Sequence, residues 1–117
     1  MIQQVPASQF ASWRDSVSTP GDTSVTPLLL DVREPWELQT ASVREDGFEL
    51  LCIPMREVPE RLAGLDPARP IACLCHHGMR SLQVANYLAQ NGFTDVVNLQ
   101  GGINAWSQEI DPSVPCY

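Results

Sequence analysis

Apolar residues fall in short consecutive runs along this chain, and polar residues collect between them. Leu28-Leu29-Leu30 is apolar on both faces, which suits a central parallel strand covered on each side better than an edge strand. Ile71-Ala72-Cys73-Leu74 is another apolar run, and residues 2–5, 49–53 and 96–99 read as three more strands. Between them the spacing turns helical. Pro6-Ala7-Ser8 opens a helix whose apolar side carries Phe10, Ala11 and Val17, with Trp13 at its margin. A helix after Pro54 places Val58, Leu62 and Leu65 on one side, and Asp66-Pro67-Ala68-Arg69-Pro70 stops it. A third gathers Leu82, Val84, Ala85, Leu88 and Ala89 and ends at Asn91-Gly92. Gly101-Gly102 allows a sharp bend into a short final helix over 103–106. Residues 18–27, with Thr19-Pro20-Gly21-Asp22 at their centre, read as a surface loop without chemistry, and 111–117 as a proline-bearing tail with no packing pattern. Strands alternating with helices predict an α/β fold, a mostly parallel five-stranded sheet flanked by helices on both faces.

Composition narrows the setting. A chain of 117 residues fits one domain, taken here as 1–117, and is too short for two of ordinary size. A formal charge of −7 argues against nucleic acid or an anionic membrane as partner. No apolar stretch approaches the roughly 20 residues of a membrane helix, and the N-terminus lacks the pattern of a signal peptide, so a cytoplasmic protein is expected. Four cysteines without dense repeated spacing point to thiol chemistry in a reducing compartment. A monomer is the expectation for one small acidic domain.

The candidate chemistry lies in Cys75-His76-His77-Gly78-Met79-Arg80-Ser81, between the 71–74 strand and the third helix. A thiol placed there faces a helix N-terminus, where unpaired N–H groups and aligned peptide dipoles favour the reactive thiolate. Gly78 lets the backbone curl so that successive N–H groups converge on one anion, and Arg80 adds a guanidinium. In open α/β sheets the functional crevice lies at the carboxyl ends of the strands. Asp31 and Arg33, ending the 28–30 strand, should therefore reach the same rim in support: a carboxylate fixing the loop backbone or Arg80, and a guanidinium ordering the rim. Cys73 and Cys52 read as core residues. A Cys73–Cys75 disulfide is disfavoured because alternate Cα atoms of a strand lie about 6.5–7 Å apart, at the upper limit for a bridge. His76 and His77 beside two cysteines raise a metal site, but zinc spacing needs a distant second pair that the chain lacks, so no metal is expected. One histidine is expected at the mouth and the other in solvent. Trp36, Trp106 and the phenylalanines are assigned to packing.

Four pieces in order, Leu30-Asp31-Val32-Arg33-Glu34, the Cys75 to Ser81 loop, the helix end at Asn91-Gly92-Phe93, and Leu99-Gln100-Gly101-Gly102-Ile103-Asn104-Ala105-Trp106, make nearly the whole chain resemble a single-domain rhodanese. That family consists of sulfurtransferases. The resemblance implies that Cys75 is the nucleophile: it takes a sulfane sulfur from a donor such as thiosulfate, becomes a persulfide, and passes the sulfur to a nucleophilic acceptor such as cyanide or a thiol. It also implies that His76, His77, Gly78, Met79, Arg80 and Ser81 form the substrate cradle, that no cofactor takes part, and that the partner is a small sulfur-containing anion or a thiol or persulfide carrier. Cys116, in the tail, reads as a surface cysteine in preference to a second thiol that relays the sulfur. Where the family usually runs into a Gly-His-Ile turn, this chain has Ala41-Ser42-Val43 followed by Arg44-Glu45-Asp46-Gly47, so a local rearrangement is expected there. Two other readings stay open. A cysteine-dependent phosphatase or arsenate reductase would share the scaffold but resembles Cys-x5-Arg, against Cys75-x4-Arg80 here, and a non-catalytic binding module of the same fold usually lacks the cysteine.

Overall fold

The computed structural model describes residues 2–17 and 26–116 of the chain. Most of the expected 18–27 loop lies outside the described residues. Five strands, β1 (Gln3–Pro6), β2 (Leu28–Asp31), β3 (Glu49–Cys52), β4 (Ile71–Leu74) and β5 (Val96–Gln100), form one sheet in the order β1-β5-β4-β2-β3. Every pairing is parallel. All positions of β2 and β4 are buried, as their unbroken apolar runs require.

Alternate strand residues feed two cores, one on each face. Leu29, Ala72, Leu74, Val97 and Leu99 join Val5, Phe10, Trp13, Phe48 and Trp106 on one side. Leu28, Leu30, Ile71 and Cys73 join Val58, Val84, Ala85 and Leu88 on the other. The first face is covered by α1 (Phe10–Val17) and α5 (Gly102–Glu109), the second by α3 (Val58–Arg61) and α4 (Met79–Gln90).

Several local expectations change. In α1 it is Trp13 that is buried and Ala11 that is exposed, because Trp13 packs against Phe10 in an aromatic cluster with Phe48 and Trp106. A ring buries far more apolar area than a methyl group and sets the rotation of the helix. The segment after Pro54 is a single turn of α3 between two 3-10 turns, Met55–Glu57 and Leu62–Gly64; it still buries Val58 and Leu65. The tail is packed: Val114 is buried and its carbonyl accepts the Ser107 hydroxyl at 2.5 Å. A short helix not expected from apolar spacing, α2 (Pro35–Thr40), follows β2. Pro35 occupies its first turn, and Glu34 and Glu37 cap each other's backbone reciprocally. Among the described residues no helix is long and apolar enough to cross a membrane.

The chain leaves β2 toward β3 at one edge and leaves β4 toward β5 on the other side. The carboxyl ends of β2 and β4 therefore flank the point where the winding reverses, the place at which such sheets open a crevice.

Candidate active site

Cys75 follows β4 directly, and its side chain meets the N-terminus of α4. The Gly78 N–H donates to its Sγ at 3.0 Å, and the Ser81 hydroxyl oxygen lies 3.3 Å from it. Cys75 is only 1% exposed, yet its sulfur is met by polar groups in addition to its apolar neighbours. Gly78 reaches this position with φ +104°, a conformation that side-chain-bearing residues rarely adopt, and an added Cβ would lie 3.3 Å from the Gly101 nitrogen.

A second helix end holds the other side of the loop. The N–H groups of Ile103 and Asn104, in the first turn of α5, donate to the carbonyls of Cys75 at 2.9 Å and His76 at 3.2 Å. These carbonyls are drawn away toward α5, which leaves the neighbourhood of the sulfur to donors. The approach is so close that a Cβ on Gly102 would sit 2.4 Å from the Cys75 oxygen. The glycine pair thus bends the chain, as expected, and also admits α5 to the back of the loop.

Asn98, in the middle of β5, completes the seat. Its Oδ1 accepts the Ser81 hydroxyl at 2.5 Å, and its Nδ2 donates to the Gly78 carbonyl at 3.0 Å and to Gln4 Oε1 at 2.8 Å. The side chain is 1% exposed. The signal was present in the sequence as a polar residue inside an apolar strand, since a buried amide needs partners.

The charged residues are arranged differently from expectation. Asp31 and Arg33 do reach the rim, both fully buried, but Asp31 grips Arg33 and not Arg80: Arg33 Nη2 lies 2.7 Å and Nε 2.9 Å from its two oxygens. Arg33 also donates to the carbonyls of Glu37 at 3.3 Å and Ala41 at 2.8 Å, holding the C-terminal turn of α2. The Ala41 contact anchors the segment where the family's turn is missing. Arg80 is held by Glu37 in a two-pronged ion pair, 2.8 Å on each side. Glu37 escaped the sequence reading because α2 did; the Glu34-Pro35-x-Glu37 capping pattern could have found both.

Of the remaining loop residues, His76 is half-buried and His77 exposed, with their rings stacked at 4.0 Å. Met79 stands 72% exposed at the start of α4. Trp36 is 62% exposed on α2, outside the core, whereas Trp106 is buried in it. All four cysteines are free. Burial, together with Cys75 nearby, pushes the Cys73 thiol far above its ordinary range. Burial and then the Asp31 carboxylate raise Cys52, only partly opposed by Arg33. Cys116 is exposed and donates to the Ser107 hydroxyl oxygen at 3.2 Å, away from the loop in sequence and contact. Among the described residues no group of three or more His, Cys, Asp or Glu side chains is placed to hold a metal ion.

Comparison with known proteins agrees with this geometry. The rhodanese-like domain profile matches residues 17–109. The chain is 43% identical over 93 residues to a chloroplastic rhodanese-like/PpiC domain-containing protein of Arabidopsis thaliana, a match covering 76% of this chain and 30% of that protein. It is 37% identical over 87 residues to a sulfurtransferase of Allochromatium vinosum, covering 74% of this chain and 78% of that one. Among solved structures, a rhodanese-related protein of Thermoplasma volcanium superposes with TM-score 0.74 at 28% identity, over 98% of this chain and 99% of the other. A rhodanese-like domain protein of Staphylococcus aureus shares the fold with TM-score 0.72 at 24% identity, over 99% of each chain. With its thiol at the β4–α4 junction and the profile match across most of its length, the chain belongs to the rhodanese-like domain family.

Proposed function

We propose that this chain is a sulfurtransferase that carries a sulfane sulfur as a persulfide on Cys75. The observation that carries the reading is the seat of Sγ, a thiol at the mouth of a 12-residue helix that receives the Gly78 N–H and lies beside the Ser81 hydroxyl. Hydrogen-bond donors aimed at a buried sulfur stabilise the anionic forms that the reaction passes through.

In the first half-reaction the Cys75 thiolate attacks the outer sulfur of the donor. A new S–S bond forms, the donor's own bond to that sulfur breaks, and the leaving group (sulfite from thiosulfate, a thiolate from a persulfide) departs with the electron pair. In the second, an acceptor such as cyanide or a thiolate attacks the terminal sulfur and releases the Cys75 thiolate. The two steps share no ternary complex, so ping-pong kinetics follow. The very low exposure of Cys75 suits end-on approach by a single sulfur atom. It suits a tetrahedral oxyanion poorly, as does a loop with four residues between Cys75 and Arg80. The sulfurtransferase name of the Allochromatium relative supports the same reaction class.

Intact mass spectrometry after incubation with thiosulfate or an alkyl persulfide tests the reading. The wild type is expected to gain one sulfur atom and Cys75→Ser none. A wild type left unmodified by both donors would overturn the assignment, and turnover of an aryl phosphate would move it to the phosphatases.

A further inference from the structure

We propose that Glu37 is a specificity-determining residue: by cancelling the charge of Arg80 it turns the site toward donors of low charge, alkyl persulfides in chemical class, and away from dianions such as thiosulfate. The proposal rests on the reading of Cys75 as sulfur carrier.

Three arginines stand at or just beyond the carboxyl ends of the central strands and β3, and each is engaged by a carboxylate. Arg33 is locked to Asp31 inside the protein. Arg56, after β3, pairs with Glu34 at 2.6 Å and lies 3.9 Å from Glu57. Arg80, the guanidinium of the loop itself, is gripped by both oxygens of Glu37. Four carboxylates thus share the rim with three guanidinium groups, and the chain contains no lysine.

The grip on Arg80 is firmly supported. Glu37 is 2% exposed, its Oε2 also accepts the Glu34 N–H at 2.8 Å, and its carbonyl is held by Arg33. A buried residue held at its carboxylate by the Glu34 N–H and at its backbone carbonyl by Arg33 is well placed to keep its partner through both half-reactions. Arg80 also matches Glu37 in planar, two-bond geometry, which commits two of its five N–H groups and offsets its charge. A sulfonate-like leaving group with two negative charges would have to compete for it, whereas an alkyl persulfide, with at most one, needs only the donors around the sulfur.

The test compares kcat/KM for thiosulfate with that for 2-hydroxyethyl persulfide, in wild type and in Glu37→Gln, which keeps the shape of the side chain and removes its charge. The wild type is expected to favour the persulfide by about tenfold or more, and Glu37→Gln to shift the ratio toward thiosulfate by about tenfold. The double variant Glu37→Gln/Arg80→Gln, which removes both charges, is expected to return the ratio to near the wild-type value. A ratio unmoved by Glu37→Gln, or equal losses with both donors, would reduce Glu37 to a structural brace and overturn the proposal. Should Glu37→Gln fail to fold by circular dichroism, a wild type that prefers thiosulfate overturns it instead. Failure of the wild type to load sulfur from either donor is a different result, which defeats the carrier reading on which the proposal stands.

Discussion

Cys73 and Cys75 are two residues apart and belong to the same core face, yet their surroundings assign them opposite chemistry. Cys73 is fully buried among Leu28, Leu30, Ile71 and Ala85, and nothing there stabilises a charge, so folding holds its proton well above the ordinary thiol value of 9.0. The unfolded chain releases that proton near 9.0, so the contribution to stability is complete below that pH and is lost as pH rises beyond it. Wild type should therefore lose up to about 1.4 kcal/mol per pH unit more than Cys73→Ala above this point. Urea melts of both proteins at successive alkaline pH values measure the difference, and parallel stability curves would contradict it. Which thiol meets the helix N-terminus was legible from residue order, since only Cys75 sits between a strand end and a glycine-containing turn. The partners of Arg80 and Ser81 were not legible, because Glu37 and Asn98 come from 43 and 17 residues away in the chain and only the sheet order brings them together.

Two helix N-termini converge on one short loop, and they do so with opposite objects: α4 faces the sulfur while α5 takes the carbonyls behind it. Between them β5 contributes Asn98, which ties the Gly78 carbonyl and the Ser81 hydroxyl to the sheet. Replacing it by Leu keeps the volume close but leaves a buried carbonyl and a buried hydroxyl without this partner, each costing about 1–3 kcal/mol. Asn98→Leu should be destabilised by a few kcal/mol on this basis and should load sulfur more slowly than its stability alone explains, since Ser81 loses the acceptor that orients it. Denaturant melts and single-turnover loading, read together, check this; a variant that is less stable but loads at the wild-type rate would show that Asn98 serves the fold and not the loop. At this scale the sequence was read well where one face is apolar, as in α4, and poorly where a helix is short and made by caps. Six-residue α2 has no apolar stripe long enough to register, and its stability comes from Pro35, the Glu34–Glu37 box and the Arg33 contacts at its C-terminal turn.

For the molecule as a whole, the parallel sheet was foreseeable because β2 and β4 are buried on both faces and must be apolar throughout, whereas the strand order depended on pairings that periodicity does not encode. The same sheet that builds the site also sets the field in which a donor approaches. With a net charge of −7 and the rim arginines paired with carboxylates, an incoming anion is expected to meet net repulsion at long range. Repulsion of this kind is screened by salt: the Debye length falls from about 30 Å at 0.01 M to about 8 Å at 0.15 M ionic strength. The second-order rate with thiosulfate, a dianion, should therefore rise several-fold across that range, while the rate with 2-hydroxyethyl persulfide should rise less, in proportion to its smaller charge. Initial rates in a salt series, with the ions varied to separate screening from competition, give both slopes. A thiosulfate rate that falls with added salt would mean that the approach is attractive, and the neutralised rim described by Asp31–Arg33, Glu34–Arg56 and Glu37–Arg80 would then not govern access to Cys75.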